Sequence, residues 1–263
     1  MQFQPFSFQK PDGRPFFFTS FVSTIDGKII VKEKGYWPIG TKEDYNYFTY
    51  LRAHADAIVD AKNTAVMFGK YTIKTLHSEI FQEFRKELGK EGLPEYIVLT
   101  SNPDEALTEA LENEHGFETK ILTVENAELS SEIEKVSNVV RCHPEAQPKD
   151  PVNNQVDLDS SHSLRMTNKR KRVSVQNLVD YLNSREYKNV FIDGGPTLVA
   201  QLLQEEVLDE VHLTIAPKIF GSLPGKTLTM VEGMLFPPEE IPQFNLTSVD
   251  RIGDDEVVLR YQR

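Results

Sequence analysis

The stretch Val190-Phe191-Ile192-Asp193-Gly194-Gly195-Pro196-Thr197-Leu198 decides the fold. Three large apolar residues make a strand, an acid ends it and two glycines strip the turn of side chains. A proline then opens a helix with Leu198, Val199, Leu202 and Leu203 on one face. A strand that runs through a glycine turn into a helix is the repeating half of a parallel α/β sheet. The same turn suits an anion, because glycine lets a phosphate reach the backbone and the amides and dipole at a helix start favour negative charge. Pro196 has no N–H, so Thr197 and Leu198 would supply the amides and the Thr197 hydroxyl a further donor. Close packing of helix on strand explains a glycine pair equally well.

Outward from this turn the alternation continues. Pro15 to Val22 is aromatic and β-branched and ends at the turn pair Asp26-Gly27. Asp44 is expected to cap a helix through Leu51 and His54, followed by a short buried strand at Ala57-Ile58-Val59. Tyr96 to Leu99 reads as a strand, and Ser101-Asn102-Pro103-Asp104 starts a helix through Ala106 and Leu111. Ile121 to Val124 and Val175 to Leu182 carry the pattern up to Val190. Beyond it, Val211, Leu213 and Ile215 alternate with His212 and Thr214, while Phe244 to Val249 and Glu256 to Tyr261 flank a turn and predict an antiparallel hairpin. The expectation is an α/β fold with a mixed, mostly parallel sheet.

The chain has 263 residues, 29 basic against 40 acidic, for a net charge of −11. That field opposes phosphate backbones and anionic lipid, so neither nucleic acid nor membrane is an expected partner. One cysteine, Cys142, excludes a disulfide framework and a multi-cysteine zinc site. The histidines form no H-x-x-x-H pair and no G-x-S-x-G elbow exists, so neither metal catalysis nor a serine nucleophile is expected. No apolar run approaches the ~20 residues of a membrane span, Met1-Gln2-Phe3-Gln4 does not open a signal peptide, and the expected location is cytoplasmic. Residues 1–263 read as a single domain interrupted by a polar, flexible insertion at 143–172. Its basic end, Arg165, Lys169, Arg170, Lys171 and Arg172, is either a solvated loop balancing an acidic body or a nucleic-acid arm. Gly221 to Thr227 imitates a triphosphate loop, but Phe220 stands where that loop needs glycine.

Two further constellations carry candidate chemistry. In Ser23-Thr24-Ile25-Asp26-Gly27-Lys28, Asp26 either satisfies turn amides or sits with Lys28 among ligands at a strand end. In Leu51-Arg52-Ala53-His54-Ala55-Asp56-Ala57-Ile58, Arg52 is either an ion-pair residue or a fork for a substrate phosphate.

Taken in order with Asp193 to Leu198, Leu208-Asp209-Glu210-Val211 and Pro217-Lys218-Ile219-Phe220-Gly221, these segments resemble the reductase domain of riboflavin-biosynthesis deaminase-reductases over roughly residues 15 to 262. The resemblance implies a dihydrofolate-reductase-like three-layer fold: a mixed, mostly parallel sheet, helices on both faces and a C-terminal antiparallel hairpin. It implies NADPH-dependent reduction of a phosphorylated ribosylamino-pyrimidine to its ribitylamino form, or of a related pterin-like substrate, and a homodimer. Carried over by position, Gly194, Gly195, Thr197, Leu198 and Thr64 would hold the cofactor phosphates, and Thr100 and Ser101 the 2′-phosphate. Lys28, Thr41, Arg52 and Asp193, with Asp26 beside them, would face substrate. The chain departs from the family at Ala61, where glycine is usual, and at Met67-Phe68-Gly69-Lys70-Tyr71, which lacks an Asp-x-Pro segment and leaves Lys70 or Lys74 to replace an arginine. The alternative is a non-catalytic nucleotide-binding or regulatory protein that kept the fold and lost substrate-side residues.

Overall fold

The computed structural model describes residues 3, 6–32, 38–142, 172–223 and 225–263. The insertion, except Arg172, lies outside the described residues, and with it most of the basic run. Phe16–Thr24 forms β1, almost wholly buried because parallel strands flank it on both sides. Ile30–Val31 (β2) makes a small separate ladder. Lys42–Ala53 is α1, Ala57–Ala61 β3, Lys62–Leu76 α2 and Glu79–Glu87 α3. Glu95–Leu99 (β4), Glu105–Leu111 (α4), Thr119–Val124 (β5), Ile133–Val136 (α5) and Ser137–Cys142 (β6) continue the alternation. Val175–Ser184 (α6), Asn189–Gly194 (β7), Pro196–Gln204 (α7) and Leu208–Ala216 (β8) complete the parallel part. Thr227–Leu228 (β9) pairs with β2, and Asn245–Ile252 (β10) and Glu256–Gln262 (β11) form the hairpin.

Among the described residues nine strands form one sheet in the order β10-β11-β8-β1-β7-β3-β4-β5-β6. From β8 to β6 every neighbour is parallel, whereas β11 runs antiparallel to β8 and β10 to β11. One face, with Phe18, Ile58, Tyr96 and Phe191, packs under α1 to α5. The other, with Phe17, Val59, Ile97 and Ile192, packs under α6 and α7. This is the dihydrofolate-reductase-like arrangement expected, three layers with an antiparallel end.

Three local readings change. The cap of α1 is Thr41, not Asp44: Thr41 is extended and its hydroxyl accepts the Asp44 amide at 3.3 Å, while the Asp44 carboxyl turns inward. The helix α2 escaped the sequence reading because Gly69 and several threonines interrupt its pattern. Gly69 is there for packing, since a β-carbon on it would stand 3.2 Å from the Ala110 carbonyl of α4. The edge strand β6 was likewise missed, being short and only partly buried.

Candidate active site

The C-terminal ends of β1, β3, β4 and β7 share one edge of the sheet, where parallel α/β folds gather ligands. A register shift between Val59 and Asp60 brings Asp60 opposite Gly194. Here α2 and α7 begin side by side, and neither start carries a side-chain cap, whereas α1, α3, α4 and α6 are capped and only the one-turn α5 among the other described α-helices is not. Val199 donates the first bond of α7, to the Gly195 carbonyl at 3.0 Å, so the Thr197 and Leu198 amides lie ahead of the helical ladder. Both glycines are demanded by contact. A β-carbon on Gly194 would stand 2.6 Å from Thr64 Cγ2, and one on Gly195, whose φ is 103°, 2.5 Å from Ala61 Cβ. Close packing thus accounts for the missing side chains, and the two uncapped helix starts are what fits a phosphate. Thr197 is exposed and Thr64 half-buried at this turn; Leu198 buries its side chain in the core and offers only its amide. Thr100 and Ser101 follow β4 on the same edge, and the Thr100 hydroxyl accepts the Asn102 amide at 3.0 Å.

The substrate candidates are arranged otherwise than expected. Arg52 and Asp193 grip each other: Nε reaches Oδ1 at 3.2 Å and Nη2 bonds Oδ2, with side-chain exposures of 7% and 2%. Thr72 of α2 joins both partners, and the guanidinium lies 4.2 Å from the Phe48 ring centroid. Arg52 is therefore an ion-pair residue, but a buried one, and its charge is already matched. Asp26 takes the turn role: its carboxylate accepts the Thr24 hydroxyl at 2.6 Å and the Phe220 and Gly221 amides at 3.2 and 2.9 Å. The Thr24 bond foremost, then the two amides, hold its pKa below the usual range against slight burial. It thereby ties the Ser23–Lys28 motif to the Pro217–Gly221 motif. Lys28 is half-exposed beside it, its Nζ on the Asp26 carbonyl at 3.0 Å. Thr41 is tied to the hairpin, its amide reaching Glu256 Oε1 at 3.0 Å and its hydroxyl bonding Oε2. Lys70 and Lys74 lie on the exposed face of α2, away from the buried Thr72 that meets Arg52.

The sequence reading passed over the residue at the centre. Asp60 is wholly buried and receives the Tyr96 hydroxyl on Oδ2 at 2.6 Å, while Oδ1 has no partner among the described residues. Burial, then the neighbouring Asp193, push its pKa well above the carboxylate range, with Tyr96 and Arg52 opposing. The signal was an acid set in an otherwise apolar strand, Ala57-Ile58-Val59-Asp60-Ala61.

A second buried cluster joins α1 to β8 and β11. His212 bonds Tyr47 at 2.7 Å and Glu210 at 2.6 Å, and Glu210 also receives Arg260 at 2.7 and 2.9 Å and Gln262 at 2.5 Å. Burial alone would raise the Glu210 pKa, but the bonds from His212, Arg260 and Gln262 outweigh it and hold it at about 2. Among the described residues no group of three or more His, Cys, Asp or Glu could hold a metal, and no helix is long and apolar enough to cross a membrane.

Fold and site together define an α/β protein with two uncapped helix starts and a buried arginine–carboxylate cluster at one end of its parallel strands. The chain belongs to the RibD C-terminal domain family, which matches residues 15–258. It is 23% identical over 253 residues to the 2,5-diamino-6-ribosylamino-4(3H)-pyrimidinone 5′-phosphate reductase of Archaeoglobus fulgidus, covering 95% of this chain and 100% of that one. Its fold is similar to that of a pyrimidine reductase-like protein from Corynebacterium diphtheriae, with a TM-score of 0.59 and 20% identity over 94% of this chain and 91% of the other. The riboflavin biosynthesis reductase of Saccharomyces cerevisiae gives a TM-score of 0.55 at 14% identity over 97% and 92%.

Proposed function

We propose that this protein is an NADPH-dependent oxidoreductase that reduces a phosphorylated ribosylamino-pyrimidine, as in riboflavin biosynthesis. The observation that carries the reading is the pairing of two uncapped helix starts with the Arg52–Asp193 cluster on one sheet edge, in a chain of this family. Gly194, Gly195, Thr64 and the Thr197 and Leu198 amides would hold the cofactor phosphates, and Thr100 and Ser101 the adenosine ribose with its 2′-phosphate. Bound NADPH would supply a hydride. The chain's own residues would fix the substrate: Lys28 and Thr41 at the open rim and, once substrate parts the buried pair, Arg52 offering charge to the substrate anion and Asp193 accepting from an amino or hydroxyl group. Asp26 holds the rim in shape.

Residues 1–263 would act as one reductase domain, located in the cytoplasm. A second copy of the chain would cover the C-terminal strands. The support for a homodimer is the edge strand β10, with Leu246 and Val249 exposed, and an apolar groove of about 490 Å³ lined by Leu213, Met230, Phe236, Phe244 and Tyr261. Sedimentation velocity measures it directly.

Incubation with NADPH and the ribosylamino-pyrimidine phosphate, followed by NADPH absorbance, tests the activity. Consumption with this substrate and not with dihydrofolate is expected. Tight NADPH binding with no turnover on either would replace this reading with a non-catalytic nucleotide-binding protein, the outcome if the Arg52–Asp193 pair never opens to substrate.

A further inference from the structure

Reduction consumes a proton as well as a hydride, and a carboxylate forked by a guanidinium, as Asp193 is by Arg52, is a poor place to store one. Asp60 is better placed. As an anion it would be a fully buried charge with one oxygen unsatisfied. Tyr96 donates to Oδ2, so a proton on this carboxyl sits on Oδ1, and the resulting O–H meets no acceptor among the described residues. That oxygen looks onto the glycine turn: a β-carbon on Gly194 would stand 3.3 Å from Oδ1 and 3.0 Å from Thr64 Oγ1. The charged and titratable groups facing it are Asp193 from β7, Arg52 from α1 and Tyr96 from β4; from α2 the Thr64 hydroxyl meets the same glycine turn, and Thr72 bonds Arg52 and Asp193.

We propose that Asp60 is the proton store of this site, a residue that holds a proton on the oxygen facing the glycine turn and gives it up there toward the substrate as hydride is transferred. The proposal rests on the reductase reading. Hydride from NADPH forms a C–H bond at the anomeric carbon of the ribosylamino group while the bond from that carbon to the ring oxygen breaks. The ring oxygen keeps that bond's electron pair and takes the proton, becoming a hydroxyl. The carbon is reduced, NADPH is oxidised to NADP⁺, and the Asp60 carboxylate is reprotonated from solvent.

Asp60→Asn keeps size and hydrogen bonding but has no proton to release. Infrared spectra of ligand-free protein at neutral pH should show the carbonyl band of a protonated buried carboxyl that is missing in D60N. Its absence from the wild type overturns the proposal whether or not the protein turns over, which separates this failure from failure of the reductase reading. With NADPH and the ribosylamino-pyrimidine phosphate, D60N should lose roughly a hundredfold in kcat with KM and NADPH affinity unchanged. Wild-type kcat should fall as pH rises and Asp60 loses its proton, a limb that D60N lacks; wild-type kcat and pH profile in D60N overturn the proposal. Tyr96→Phe guards against a misfolded Asn variant. Removing the hydrogen bond that favours the ionised form should carry the infrared band and the alkaline limb to higher pH, and an unmoved band counts against the store.

Discussion

In two places an arginine meets a buried acid, and the two clusters are finished differently. In the cluster of Glu210, His212, Tyr47, Arg260 and Gln262, both carboxylate oxygens and both imidazole nitrogens are bonded. In the cluster of Asp60, Tyr96, Asp193, Arg52 and Thr72, one carboxyl oxygen is left over in the interior. A closed network rigidifies a fold, whereas an orphaned buried polar atom costs stability. The closed cluster fastens α1 and the hairpin strand β11 to β8; the open one sits where two helix starts meet. Architecture and chemistry are thus assigned to opposite sides of β1.

The largest expected effect tests the closed side. Glu210→Ala strips the buried His212 and the half-buried Arg260 of their shared partner and should cost about 3 to 5 kcal/mol of stability, read by denaturant melts, with NADPH affinity unchanged in the folded protein. The pH dependence has a definite sign. Glu210 holds its proton less tightly folded than unfolded, so its stabilisation is complete above the ordinary 4.5 and is lost as pH falls toward about 2. Glu210→Gln should flatten that acid limb. A variant that melts normally and loses turnover would erase the contrast between the clusters.

On the open side Arg52→Ala should act twice. It leaves Asp193 buried without its cation, lowering the melting temperature, and it should weaken substrate use by about 1.5 to 3 kcal/mol, ten- to a hundredfold, with cofactor affinity nearly intact. Kinetics unchanged beside a lowered melting temperature would place Arg52 with the architectural cluster. Gly195→Ala comes next. Its β-carbon meets Ala61 at a positive φ, so about 1 to 3 kcal/mol of stability should go along with a tenfold or greater loss of NADPH affinity. Calorimetric titration of the folded variant separates the two losses.

The central strands were legible because each is a compact apolar run, and the hairpin because its period is two, whereas the half-exposed edge strand β6 carries neither sign. The site was legible where backbone chemistry writes it into sequence, as at Gly194, Gly195 and Pro196. It was not legible where function depends on which side chain meets which across the fold. Nothing along the chain pairs Arg52 with Asp193, 141 positions away, or hands Asp26 to the amides of Phe220 and Gly221. Asp60 was hidden by its setting, since an acid at the end of an apolar strand reads as the strand's boundary until a register shift carries it inside.

The smallest expected effect is the sharpest probe of the open edge. Thr197 is exposed at the second position of α7, its hydroxyl makes no bond within the protein among those described, and a β-carbon on the loop glycine Gly233 would stand 3.8 Å from its Cγ2 and 4.0 Å from its Oγ1. Thr197→Val keeps that methyl contact and the amide while removing one donor, so the melting temperature without ligand should stay put. If a phosphate sits against the start of α7, the loss should be about 0.5 to 1.5 kcal/mol in NADPH binding, several-fold in Kd, and should shrink as salt screens the charge. An affinity equal to wild type in a folded variant would mean that the phosphate does not touch this helix start, and would leave α2 and Thr64 to carry the cradle alone.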